Sequence, residues 1–584
     1  MHSIRWPLAG QALFVALLTG AMVPAFAEEA APQPGGTLKI ASLQPDLDAF
    51  DPLTGYSVDS WEILRAVTRQ LVTYPGSPKS LKDDTTLVGD LAKSWDVSAD
   101  GKTYTFHLRD GIRYAGPTTR PIVAKDFVYA IKRFCDPNKQ VAAVNYFNLA
   151  FSGFADYCQA FSKVATGDLA ASKAFIDSHE IAGVSAPDDK TLILRSDSKN
   201  YDFLNILSMN FVTPLPEEVA SRYFPDSQEF RKNFPSSGPY EVASYVSGQK
   251  LLLTKVTDYN HAEDPARKAW VDAIEVSFTG NNEDSVMQRI QAGDADLSLY
   301  LDVPPQAAAR QYLVQKSPYL HAANSGAANF IAINAQPQAK SAGATALRDL
   351  RVRQALAYAV NKAHLVQAQG GKIAALPLGQ IITSTLLGHE PFDPYATPDS
   401  KGDAEKAKAL LKEAGLADGL ALDLVYRANN QFSTLAVILK EDLARAGIRL
   451  NLIPVPPPQF MAYLQSPENR WDLALGQTSP DWQGPATRML LGGWLNSDAS
   501  PCGRGNVYAI CYSNPKLNQL AKQAYSSDNP GPIWQEADRL VSADLPWIPL
   551  FEKRRIAVTS ERVTHWTWSS LATQADITNI ALKP

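Results

Sequence analysis

The chain has 584 residues, 45% of them hydrophobic and 20% charged, with a formal net charge of −5. That length predicts roughly two to four domains at about 150 residues each, and the composition is that of a globular protein, not a disordered or fibrous one. The small negative charge gives no support to a nucleic-acid partner, which needs a basic face or stripe. Residues 1–27 read as a secretory signal peptide: Arg5, an apolar run from Leu8 to Val23, then Ala25-Phe26-Ala27 as a small-x-small cleavage site before Glu28. No later apolar run is long enough to span a bilayer. The first cysteine is Cys135, so no Cys stands after the cleavage site to carry a lipid anchor, and the implied compartment is a periplasm. The four cysteines, Cys135, Cys158, Cys502 and Cys511, allow three pairings, of which the local ones, Cys135 with Cys158 and Cys502 with Cys511, are preferred for an exported protein. Neither pair has CxxC spacing and no His lies nearby in sequence, which argues against a metal site.

Between Asp90 and Tyr114 the chain contains Gly101-Lys102-Thr103, the end of a phosphate-loop pattern, but Asp96 stands where the first glycine is required. The residues from Thr103 to Arg109 alternate with period two and put Tyr104, Phe106 and Leu108 on one face, which predicts a strand. With Trp95 and Val97 before the Asp100-Gly101 turn and a second turn at Asp110-Gly111, the stretch reads as two successive hairpins. The whole pattern, LAxSWxVSxDGxTYxFxLRxGIxY, continues into Val123 to Arg133 and resembles the extracellular solute-binding proteins of family 5, the periplasmic peptide receptors of ABC importers. Further landmarks recur in order: Gly35 to Ala41, Phe50-Asp51-Pro52, Ser237 to Val242, Thr257 to Asn260 with Thr257 in place of the usual Asn, Gln291 to Asp296, and Asp349 to Lys362.

Periodicity gives an independent reading of the second half. Val352, Ala355, Leu356, Ala359 and Val360 recur at helical spacing behind Asp349 as a cap. A helix from Asp403 to Ala414 stops at Gly415. Strands are predicted at Leu420 to Tyr426, Ile448 to Val455 and Trp471 to Gly476, with helices at Ser433 to Arg445 and around Gln459 to Leu464 between them. That alternation predicts a largely parallel sheet. The resemblance implies a two-lobed α/β periplasmic-binding-protein fold of type II, in its large subclass. Its expected division is a first-lobe core at 28–75 and 213–325, an inserted subdomain at 76–212, a second α/β lobe at 326–552, and a return to the first lobe at 553–584, with crossings near residues 325 and 552.

In an open α/β sheet, ligands bind beyond the carboxyl ends of the strands. The strand ending near Gly476 leads into Gln477 to Pro485, where Asp481 and Pro485 fit the DxxxP spacing by which peptide-binding family members meet a ligand's α-ammonium. The Trp that the family carries before this Asp is absent, and Trp482 stands after it instead. A buried ammonium needs a carboxylate, although an Asp between Pro and Trp also serves as a turn former. Trp482 suits either stacking on a ligand or core packing. Thr478 in the same segment, Tyr56 as a residue closing over ligand and Arg427 as a partner for a carboxylate complete the expected site; packing for Tyr56 and a solvated loop end for Arg427 are the alternatives.

The expected function is capture of an oligopeptide or dipeptide between hinged lobes and delivery to an inner-membrane ABC permease complex, by a monomer, with no cofactor, no metal and no chemistry on the ligand. The alternative cargo is an opine, an oligosaccharide on Trp482 and Trp494, or another non-peptide. A secreted hydrolase is the remote alternative: there is no GxSxG, HExxH or helix-opening GxGxxG, and the eight histidines are scattered.

Overall fold

The computed structural model describes residues 32–76, 86–139, 144–280, 282–299, 311–336, 339, 341, 343–466, 470–501, 508, 510–571 and 574–584. The predicted signal peptide and Cys502 lie outside the described residues.

Strand β1 (Thr37–Ser42) is followed by helix α1 (Val58–Val67), whose cap Ser57 accepts from the Ser60 amide. The next strands, β2 (Ala92–Val97), β3 (Thr103–Leu108), β4 (Val184–Asp188) and β5 (Thr191–Arg195), form an antiparallel sheet in the order β2-β3-β5-β4, with helix α2 (Val144–Ala150) between β3 and β4. The GKT segment is the turn of the β2–β3 hairpin: Val97 pairs with Tyr104, and Gly101 has φ of +69°, which suits glycine. Tyr104, Phe106 and Leu108 are buried as their alternation requires. The second expected hairpin is not formed. After Asp110-Gly111 only an Arg113–Pro121 bridge closes the loop, because the free edge of β3 is taken by the distant β5.

The chain then completes the first sheet with β6 (Tyr240–Val246), β7 (Lys250–Lys255), β8 (Ala273–Phe278) and β9 (Leu297–Leu299), in the order β9-β1-β8-β7-β6, with β1 parallel to both β8 and β9. Cys135 and Cys158 are bonded, their Cα atoms 5.0 Å apart. Cys511 is also disulfide-bonded.

The second half builds a six-stranded sheet from β10 (Leu320–Ile333), β11 (Ala375–Pro377), β12 (Leu420–Arg427), β13 (Ile448–Val455), β14 (Leu473–Thr478) and β15 (Trp547–Val558), in the order β11-β15-β10-β14-β12-β13. It carries helices α3 (Leu350–Ala359), α4 (Ala404–Glu413), α5 (Asn430–Ala444) and α6 (Gly531–Asp544). The sheet is mixed where a largely parallel one was expected. Only β12 with β13 and β12 with β14 run parallel, since the long strands β10 and β15 enter at its centre as an antiparallel pair. Helix α5 starts three residues before its expected Ser433 because Asn429 caps it through the Phe432 amide, and β14 runs on to Thr478. Val352, Ala355, Leu356, Ala359 and Val360 are all buried in one core with β12, α5 and β15. The result is the two-lobed α/β fold of periplasmic binding proteins with an added sheet in the first lobe. No helix of the described residues is long and apolar enough to cross a membrane.

Candidate functional site

Strand β14 ends at Thr478 and delivers Pro480-Asp481-Trp482 to the boundary between the lobes. The loop is fastened from behind. Gln483 donates Nε2 to the Ser325 carbonyl at 3.0 Å, and the Gly484 amide donates to Thr385 at 3.0 Å. Gly326, with φ of +71°, leaves the space into which Pro480 packs: a Cβ there would stand 2.9 Å from the Pro480 ring and against the Thr385 hydroxyl as well. The loop and the β10 segment where register breaks between Asn324 and Ala328 are thus packed as one piece.

From the other lobe two phenols converge on Asp481. Tyr56, just before the α1 cap, donates its hydroxyl to Asp481 Oδ2 at 3.0 Å, and Tyr146 on α2 donates to the same oxygen at 2.5 Å. Tyr56 is 39% exposed, but its hydroxyl faces the carboxylate and its ring lies against Trp61 and Phe211. Burial pushes the Asp481 carboxyl above its ordinary range, and the two hydroxyls pull it partway back. Burial and the Asp481 charge push both phenols well above theirs, so they remain protonated donors. Among the described residues no cation pairs with Asp481.

Trp482 is fully buried, with Tyr146 packed edge-on at 5.4 Å, so protein covers the ring that could have stacked on a ligand. Thr478 is buried in register with Ala328, and its hydroxyl has no hydrogen-bond partner among the described residues. Arg427 ends β12, the strand beside β14. Its guanidinium lies 4.2 Å from the centre of Phe460, with Phe432 at 5.5 Å and Tyr508 at 6.0 Å, and Nη1 is buried without a partner among the described residues. Tyr508 connects the two strand ends, donating to the Gln477 carbonyl at 2.7 Å and accepting from its amide at 2.9 Å. The structure therefore joins Tyr56 to Asp481 directly and sets Thr478 and Arg427 on neighbouring strand ends. Tyr146 and Tyr508 were missed; nothing in sequence ties Tyr146 to a residue 335 positions away. A cavity of about 1230 Å³, its open mouth included, lies where Gly484 and Pro485 face Leu87, Trp95 and Leu204. Among the described residues no group of three or more His, Cys, Asp or Glu is gathered to hold a metal ion.

Residues 86–498 match the family described as Bacterial extracellular solute-binding proteins, family 5 Middle. The chain belongs to this family. It is 25% identical to Heme-binding protein A of Haemophilus influenzae, covering 84% of this chain and 83% of that one. It is 28% identical to the Dipeptide-binding protein of Escherichia coli over 63% of each, and 26% identical to Di/tripeptide-binding protein 4 of Pseudomonas aeruginosa over 80% and 81%. Among solved structures it is similar to Clavulanic acid biosynthesis oligopeptide binding protein 2, with a TM-score of 0.82 at 24% identity over 94% of this chain and 96% of that one. The periplasmic murein tripeptide-binding protein MppA, in an unliganded open form, gives 0.70 at 18% over 94% and 99%. Family members bind solutes, and this chain is a solute-binding protein.

Proposed function

We propose that the chain is a periplasmic receptor that closes two hinged lobes on a peptide, anchors the peptide's α-ammonium on Asp481, and hands it as a monomer to an inner-membrane ABC permease. Export would use residues 1–27 as the leader. The observation that carries the reading is Asp481, a partly buried carboxylate met only by neutral donors among the described residues, at the carboxyl end of a strand facing the other lobe. Both phenols use Oδ2, and no described residue donates to Oδ1, which is open to an ammonium. Arg427, lodged among aromatic rings with Nη1 unpaired, suits the ligand's carboxylate. The cavity beyond Pro485 offers room for side chains, and peptide-binding relatives at 24–28% identity agree. The register break in β10 at Asn324–Ala328 and the run of β15 through Glu552 support lobe crossings near residues 325 and 552.

Mass spectrometry of ligand released by denaturing the purified periplasmic protein would show peptides; a sugar or an opine would overturn the cargo. Titration with a released peptide and its N-acetyl form then tests the anchor. Asp481→Asn is expected to lower affinity for the free amine by about 100-fold or more, the scale for removing one partner of a buried ion pair, and to leave the weak binding of the acetylated form unchanged.

A further inference from the structure

Away from Asp481, four consecutive residues between β5 and the helix Phe203–Leu207 all reach across to the second lobe. Lys199 pairs with Asp528. Arg488, which opens the helical segment Arg488–Trp494 after the site loop, donates Nη1 to Asn200 Oδ1 at 2.7 Å and to Asp202 Oδ1. Tyr201 donates its hydroxyl to the Pro485 carbonyl at 2.8 Å and accepts from Trp534 Nε1 of α6 at 3.1 Å. The Arg488 and Asp202 side chains are 5% and 0% exposed, and the guanidinium lies 4.9 Å from the centre of the Tyr525 ring. Asp202 holds Arg488 in its charged form, and Arg488 pulls the Asp202 carboxyl back from the upward push of burial.

None of these side chains bonds to Asp481, Thr478 or Arg427. Yet the pair is desolvated only while the lobes are together, because its members belong to different lobes. An ion pair so placed makes closure depend on both charges: with one partner removed, closing strands the other in a dry site, whereas with both replaced by apolar groups nothing is stranded. A receptor whose competent state is only partly populated binds with an apparent affinity reduced by that fraction.

We propose that Asp202 and Arg488, with Tyr201 and Trp534 beside them, form a latch that sets how much of the receptor is closed, and so sets cargo affinity and release rate through a charge pair that does not itself line the cargo cavity. The proposal rests on the hinged-receptor reading, so its first test needs no cargo. Small-angle scattering of the ligand-free full chain compares wild type, Asp202→Asn, Arg488→Met, Tyr201→Phe and the double variant Asp202→Leu/Arg488→Met. Thermal unfolding of each confirms a folded protein. The single charge variants are expected to give a larger radius of gyration, Tyr201→Phe a smaller shift, and the double variant a return toward wild type. If the folded variants all scatter like wild type, or the double variant is the most open, the latch is overturned, whatever the cargo proves to be. If the charge variants fail to fold, Tyr201→Phe decides alone: an unchanged radius overturns the proposal and an increased one supports it. With the released ligand as probe, Asp202→Asn is then expected to speed dissociation about tenfold or more with little change in association, and an unchanged dissociation rate overturns the role in affinity.

Discussion

Two carboxylates at the boundary between the lobes are met in opposite ways. Asp202 is met by the Arg488 guanidinium, which also donates to the Asn200 amide oxygen, so a charge inside the protein opposes its own, although its Oδ2 has no hydrogen-bond partner among the described residues. Asp481 is matched by two phenols, which give it hydrogen bonds and no compensating charge. A buried anion held only by neutral donors is costly unless a cation arrives. On the proposed reading, the difference separates a contact the protein makes with itself from one it would reserve for a ligand. Glu62 on α1 is a third case: 3% exposed, with Oε1 lacking any hydrogen-bond partner among the described residues and the carboxyl pushed well above its ordinary range by burial.

The comparison is sharpest if the two boundary positions are changed in parallel. Asp481→Asn is expected to lose peptide affinity and leave ligand-free scattering unchanged, because Asn still accepts from both phenols. Asp202→Asn is expected to open the ligand-free protein. Identical behaviour in both assays would erase the distinction.

At the strand end beside Asp481, Arg427→Met is expected to weaken binding of a released peptide about tenfold to 100-fold while leaving its C-terminal amide unaffected, as measured calorimetrically. Equal losses for acid and amide would remove Arg427 from carboxylate recognition.

The pH dependence comes from the raised Asp481 titration. The free site favours the protonated acid and the ammonium complex favours the carboxylate, so binding releases a proton. Affinity should therefore rise with pH through the Asp481 titration and level off above it. Tyr146→Phe removes a donor that lowers the Asp481 titration, so the midpoint of the binding profile should move to higher pH with the plateau little changed. A midpoint that stays in place, read by titrations from about pH 4 to 8 across the ordinary and raised carboxylate ranges, contradicts this.

The smallest effect is expected at Glu62. Its folded-state value lies above its unfolded one, so its contribution to stability is fully present below the ordinary carboxylate range and is lost as pH climbs through the raised value. Glu62→Gln should thus leave urea stability near pH 4 nearly unchanged and raise it by about 1 kcal/mol or more near pH 8, the scale of an unsatisfied buried group. A gain confined to the acidic condition would reverse the sign and refute the burial argument.

Much of this arrangement could be read in the sequence wherever the cause is local. Alternation at Tyr104 to Leu108, the Asp349 cap, the helix beginning at Asp403 and the strand leading into Asp481 each depend on residues within about ten positions, and each is found. The sequence offers Tyr56 as a candidate to close over ligand, and the structure sets its hydroxyl on Asp481. What escaped depends on pairing across hundreds of residues: β5 taking the edge of β3, the insertion of β10 and β15 into the centre of the second sheet, Tyr146 on Asp481, and Asp202 on Arg488. No composition or period marks such meetings, because each partner alone is an ordinary tyrosine, aspartate or arginine.

The Cys135–Cys158 bond has a consequence for the same site. It closes the loop that carries α2, and with it Tyr146, one of the two donors to Asp481. For a span of 23 residues such a bond restricts the unfolded chain by about 3 kcal/mol, and binding titrations run with and without a reductant read its effect on the anchor. Such bonds persist in oxidising compartments and are rare in the cytosol. On the proposed reading, one wall of the binding site would be fixed in place only after export, which would tie maturation of the receptor to its address.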